Sequence, residues 1–265
     1  MWVPDPLIDL PATAPVDTAT SPMPDWLYWT LLLSVGVFWL PAYALAIHRA
    51  RVDRRVGIPV LLVPVNLAWE FTHSLVLEQL PEQRPLNFGA MVLDLVILAQ
   101  ALRYGGRDTG LSPGAFRWVV WGTLGYASVF LVTLTFEFGD FYGIYTGLGI
   151  NIALSLAFLL MLHRRGSSAG QCLYVAFGKW LGTLMVGFLF VGLYPERHLL
   201  QLLAASVSAL DIAYIVLLRR RIRAEGQSPW TLRRPPVDVA RGGTEDIAVV
   251  GVGPGAGAVS GATTD

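Results

Sequence analysis

The chain holds one cysteine in 265 residues, Cys172, so no disulfide can close within it. Charge is as scarce: 14% of residues are charged against 54% hydrophobic, and the mean hydropathy is +0.54. A soluble domain of this length is excluded by that balance. No Asp-Asp-x-x-Asp run or Asp-x-Asp-Asp cluster occurs, which argues against magnesium-dependent diphosphate chemistry. Also absent are a Walker loop, a Gly-x-Ser-x-Gly elbow and a His-Glu-x-x-His zinc helix. The run 199–218 carries no lysine, which removes the Schiff-base site a retinal protein needs there. His48, His73, His163 and His198 are scattered, so no metal centre is expected, and no organic cofactor is implied either. Met1 to Pro6 lacks a basic region and does not read as a cleavable signal peptide. The formal net charge of zero says nothing in favour of nucleic acid as a partner.

What the chain does have is apolar length. Runs at 26–47, 56–77, 86–102, 116–136, 143–163, 171–194 and 198–218 are each about 17 to 25 residues, enough for a hydrocarbon core of ~30 Å. The expected fold is an all-α integral membrane bundle of seven transmembrane helices, with 86–102 the shortest. Arg49, Arg51, Arg54, Arg55, Arg103, Arg107, Arg117, Arg164, Arg165, Arg219, Arg220, Arg221 and Arg223 fall on one side, against Arg84 and Arg197 on the other. The N-terminus is therefore expected outside and the C-terminus in the cytoplasm. Glu78, Glu82, Glu137, Asp140 and Glu196 make the outer face slightly acidic. Residues 1–25 read as an irregular external segment, 26–220 as the membrane domain and 221–265 as a disordered cytoplasmic tail, since Pro, Gly, Ser, Thr and Ala dominate from about Ala224. The lipid bilayer is the obligatory partner. An Ala, Arg, Gly and Val bias points to a bacterial source, hence to the bacterial cytoplasmic membrane.

Inside the apolar runs stand the carboxylates Glu70 and Asp211, with Asp94 in the shortest run, 86–102. A charge at mid-bilayer costs roughly 2.5 to 3.5 kcal/mol on insertion scales, so such residues are functional by default. Counting about 1.5 Å per residue puts Glu70 about 21 Å above the cytoplasmic end of its helix and Asp211 about 12 Å above its own, an offset of about 9 Å. That offset suits acids bracketing a substrate cavity better than one shared hydrogen bond. Asn66, Glu70, His73 and Ser74 follow i, i+4, i+7, i+8 and share one inward face, flanked by Trp69. Ser208, Asp211 and Tyr214 line up at steps of three, offering Asp211 two partners within its own helix. Lys179 falls near the depth of Asp94 and Asp211 and is expected to pair with one of them, because buried charges are usually paired. Asn66, Trp69, His73, Asp94, Tyr145, Lys179 and Tyr214 are the expected substrate-binding residues. Trp26, Tyr28, Trp29, Trp118 and Trp121 suit an interfacial belt.

The Asn-x-x-x-Glu step of Asn66 to Glu70 on the second helix and a lone Asp211 on the last resemble the integral-membrane terpene cyclases of fungal meroterpenoid and indole-diterpene pathways, with their actinobacterial relatives that cyclise farnesylated indoles. The resemblance covers about residues 26–220. It implies that Glu70 and Asp211 are catalytic, protonating an epoxide or alkene, and that the partner is a hydrophobic prenylated small molecule, a farnesylated indole or other aromatic.

That chemistry also suits the residues themselves. Polyene cyclisation needs a proton donor, a dry cavity and a terminal base. One acid can stay protonated while the other, closer to Lys179, stays anionic, and Asp211 is favoured as donor with Glu70 as its partner or the alternative donor. A small-solute or proton-coupled transporter, with Glu70 and Asp211 as relay groups, is the competing reading.

Overall fold

The computed structural model describes residues 22–77 and 82–237. Within them lie seven α-helices: α1 (Asp25–Asp53), α2 (Val63–Phe71), α3 (Arg84–Tyr104), α4 (Pro113–Phe138), α5 (Ile144–Arg165), α6 (Leu173–Leu193) and α7 (His198–Ala224). The all-helical expectation holds. Six of the seven are long and apolar enough to cross a membrane, α2 being the exception. The run 86–102 is no weak point, since α3 extends from Arg84 to Tyr104.

The expected second span, 56–77, departs from a simple helix at both ends. Residues 54–62 form turns, helped by Pro59, and α2 begins only at Val63 with Pro64 in its first turn, where a missing N–H costs nothing. Past Phe71 the backbone widens into a π turn, Thr72–Val76, in which the Leu77 amide bonds the Thr72 carbonyl at 2.8 Å. Together α2 and this turn rise about 21 Å at 1.5 Å per residue, short of a ~30 Å core.

Lipid-facing side chains are apolar where a soluble protein would be charged: Trp118 is 80% exposed and Phe138 78%. Helix α1 packs between α3 and α6, α6 adjoins α7, and α7 adjoins α5. Helix α2 sits between α3 and α4 and also touches α5. The α1–α6 crossing depends on Gly178 and Gly182, four apart on one face of α6. A Cβ at Gly178 would stand 2.8 Å from the Ala42 Cβ, and one at Gly182 would overlap the Trp39 ring. This is the small-residue contact by which membrane helices approach without help from water.

The loops 54–62 and 166–172 gather at one end, where Arg165 donates to the carbonyls of Val56 and Ala169 at 3.0 and 2.6 Å. The chain after α7 joins them. Residues 221–224 still belong to α7, and 225–237, expected to be disordered, are held in place. Arg49 donates to the carbonyls of Arg234 and Pro235 at 2.7 and 3.1 Å and pairs with Asp53 at 2.7 Å. Arg234 donates to Ser168 Oγ at 3.1 Å, and the Ser168 amide bonds Glu225 at 2.6 Å. Burial, then the neighbouring Arg49, lowers the Arg234 pKa from its ordinary value. Composition missed this segment because its anchors are polar rather than apolar. The expected external segment at 1–21, Glu78 and the tail from 238 onward lie outside the described residues.

Candidate active site

Helices α1, α2, α3, α5 and α6 surround a cavity with about 1040 Å³ of atom-free space, part of it open to the outside. Its walls are mostly apolar and aromatic, including Trp39, Tyr43, Trp69, Tyr142, Phe158 and Phe190. The aromatic side chains Trp118, Trp121, Tyr126 and Phe136 instead face outward.

Acidic groups occupy the wall formed by α2 and α3. Asn66 sits one helical turn before Glu70, and its Nδ2 donates to Asp94 Oδ2 at 2.6 Å and to the Tyr43 hydroxyl oxygen at 2.9 Å. Glu70 is 3% exposed, and its Oε2 has no hydrogen-bond partner among the described residues. Both Glu70 and Asp94 line the cavity. One oxygen of a carboxyl group is thus left uncommitted beside an apolar chamber, where such a group is costly unless it has a use.

Basic character enters from α6. Lys179, the chain's one lysine, donates to both Asp211 oxygens at 2.8 Å and to Ser155 Oγ at 2.8 Å. Ser155 in turn contacts Asp211 Oδ1 at 2.7 Å. The expected ion pair therefore forms, and its acid is Asp211. Only the lysine lines the cavity, with Asp211 buried behind it.

Trp69 is fixed at one edge and one face. Its Nε1 donates to Thr146 Oγ1 at 3.1 Å, and its ring stacks on His73 at 4.6 Å and 27°. Gly147 gives it room, since a Cβ there would come within 3.1 Å of the indole.

Of the residues expected at the site, Asn66, Trp69, Glu70, Asp94 and Lys179 line one cavity. His73, Tyr145, Asp211 and Tyr214 do not. His73 stands behind Trp69. The Tyr145 ring packs with Ile144, Leu148 and Leu200, while its amide caps onto Asp140. Tyr214 donates to Gln171 Oε1 at 2.8 Å, and Ser208 accepts from Trp180 at 2.8 Å. The expected ladder within α7 is thus not formed, because α5 and α6 offer Asp211 charged and hydroxyl partners at closer range. Tyr43 and Ser155 went unrecognised. For Ser155 a signal existed, in the Asn151 and Ser155 step of four inside an apolar run.

Comparison with known proteins adds to this geometry. The model of the Pyr4-like transmembrane terpene cyclases matches residues 16–220. Terpene cyclase pyr4 of Aspergillus fumigatus is 25% identical over 244 residues, covering 83% of this chain and 95% of that protein. Terpene cyclase olcD of Penicillium canescens is 27% identical over 213 residues, covering 74% and 86%. Pyr4-family terpene cyclase mfmH of Annulohypoxylon moriforme is 25% identical over 176 residues, covering 63% and 73%. These relatives are fungal and lend no support to a bacterial source. No solved structure matches the chain significantly.

Proposed function

The chain belongs to the Pyr4-like transmembrane terpene cyclases and is a multi-pass membrane enzyme, and on that premise we propose that it protonates a prenylated, farnesylated aromatic substrate such as an indole to start carbocation cyclisation. The observation that carries the reading is the uncommitted Oε2 of Glu70 on the wall of an otherwise apolar, aromatic cavity.

Glu70 is the proposed donor. Its O–H bond breaks as a C–H bond forms at the less substituted carbon of a terminal alkene, leaving a tertiary cation; with an epoxide, the proton goes to oxygen and the C–O bond opens. Neighbouring double bonds then close rings in turn, and loss of a proton from a carbon beside the last cation yields an isomer of the substrate. Ring faces such as Trp69 and Tyr43 stabilise the passing cation by about 0.5 to 2 kcal/mol each. Asp94, held by Asn66, adds negative character to the same wall. Asp211 has a different task in this reading: both its oxygens are engaged by Lys179, so it positions the ammonium group. With that positive end at the opposite wall, the cascade runs along the Trp69 and Tyr43 side.

Seven crossings with the N-terminus outside are proposed as the topology. The support is that arginine-rich loops and the 225–237 segment share one end, and positive charge favours the cytoplasm. The transporter reading loses its ground to the family membership.

Mass spectrometry of products tests the reaction, using membranes that contain the protein, farnesyl and geranylgeranyl indoles, and their terminal epoxides in ordinary and heavy water. Alkene protonation yields an isomer that gains one carbon-bound deuterium in heavy water. An isomer from the epoxide alone, without carbon-bound deuterium, establishes epoxide opening. No isomer from any of them overturns the proposed substrate class.

A further inference from the structure

Where α2 passes into its π turn, buried polar atoms are left over. Among the described residues, Glu70 Oε2, Thr72 Oγ1, His73 Nε2, Ser74 Oγ and Thr135 Oγ1 have no hydrogen-bond partner, although none of the five residues is more than 3% exposed. Many hydroxyls on the other helices, though not that of Thr135, behave differently. Thr30, Ser34, Ser128, Thr133 and Thr183 each donate to the carbonyl four residues back at 2.6 to 2.9 Å. The widened backbone of the π turn changes that register, and the Thr72 and Ser74 hydroxyls are released from their own helix.

Glu70, His73 and Ser74 stand at i, i+3 and i+4 and so share one side of the element. His73 is oriented: its Nδ1 lies 3.1 Å from the Trp69 carbonyl, which can only accept, so Nδ1 carries a hydrogen, and in the neutral tautomer Nε2 presents a lone pair. Gly143, at φ +68°, packs directly on the imidazole, since a Cβ there would come within 2.6 Å of Nε2. Thr135 flanks the same loop, its carbonyl accepting the Gly139 and Asp140 amides. Buried polar groups with no protein partner are where ordered waters sit, each making about three hydrogen bonds.

We propose that the π turn is a built water site whose water returns a proton to Glu70 after each cyclisation. The inference rests on the cyclase reading above. Having given its proton to substrate carbon, Glu70 is a carboxylate. A water bonded to Oε2 donates one proton to it and takes a replacement from the next water or hydroxyl along the turn, held in line by His73 Nε2. The closing step of the cascade passes one proton from substrate carbon to water, which resupplies the far end of the relay, so the overall reaction remains an isomerisation.

Two measurements on the full chain in lipid nanodiscs test this. Infrared spectra in ordinary and ¹⁸O-labelled water should show internal water bands that shift with the oxygen isotope in the wild type and are lost in Ser74→Ala and His73→Phe. Rapid-quench kinetics should show a first turnover close to wild type in both variants, with the steady-state rate falling at least about tenfold, the scale on which one proton-transfer group matters. Thr135→Val, which conserves volume on a different helix, should show a smaller effect of the same kind. Wild-type spectra without an isotope-sensitive band overturn the water site. Equal losses in first and later turnovers, or no loss in either, overturn proton return. A wild type that shows the bands yet cyclises no polyene refutes the reading of the cavity, and proton return with it, while the water site stands.

Discussion

Lys179 Nζ stands 2.8 Å from both carboxylate oxygens of Asp211, and of the two residues only the lysine reaches the cavity wall. The acid is thus the buried anchor of a cation rather than an open reagent. Removing one partner of such a pair costs about 3 to 5 kcal/mol, because the other charge is left uncompensated, whereas replacing both with apolar residues is often neutral. Asp211→Asn and Lys179→Met should each lower the thermal midpoint in detergent, and the double variant Lys179→Met with Asp211→Leu should recover most of the loss. Additive losses in the double variant would contradict the anchoring role.

Glu70→Gln keeps shape and removes the acidic proton. Turnover should fall at least about 100-fold, the lower range for loss of a general acid, with the thermal midpoint near wild type. Asp94→Asn should fall less, since Asn66 already engages that carboxylate at 2.6 Å. Product formation per unit of folded protein is the readout, and wild-type activity in Glu70→Gln would sink the assignment.

Gly182 has no room for a side chain beside Trp39. Gly182→Val should force α1 and α6 apart, lower the thermal midpoint and disturb the cavity wall that Trp39 and Lys179 share. Gly149→Ala, on a helix position with open space around it, should leave both properties unchanged. Melting curves and product yield of the two variants side by side distinguish a packing site from general intolerance of membrane glycines.

Truncation after Ala224 removes Glu225 and Arg234 from the polar network around Ser168 and Arg49. The thermal midpoint should drop and proteolysis at the 166–172 loop should speed up. Truncation after 237 should change neither. Equal stability of the two shortened chains would show the segment to be dispensable.

Much of this molecule was legible from residue spacing. Asn66 and Glu70 one turn apart on an apolar helix marked the acidic wall, and a lone lysine within reach of an acid marked the ion pair. Hydropathy could not see that α2 stops short, because Val, Leu and Pro in 56–62 are as apolar in a tucked loop as in a helix. Spacing along α7 suggested Ser208 and Tyr214 as partners of Asp211, but periodicity describes only one helix at a time. The partners came from α5 and α6, across contacts that no single run encodes. Segment 225–237 was hidden for a related reason: its order comes from hydrogen bonds to residues far earlier in the chain, which composition does not register.

The Arg49 guanidinium is 3% exposed, and its carbonyl partners at Arg234 and Pro235 lie 185 and 186 residues further along. During synthesis α1 emerges well before those partners, which follow 185 and 186 residues later. At roughly 5 to 20 residues per second, the ribosome leaves that buried arginine unsealed for about ten seconds or more. The bundle therefore has a fastening step that waits on the segment after α7, and a chain interrupted before it carries its own mark: an Arg49 guanidinium open to water at the end of α1, with Asp53 as its one remaining partner.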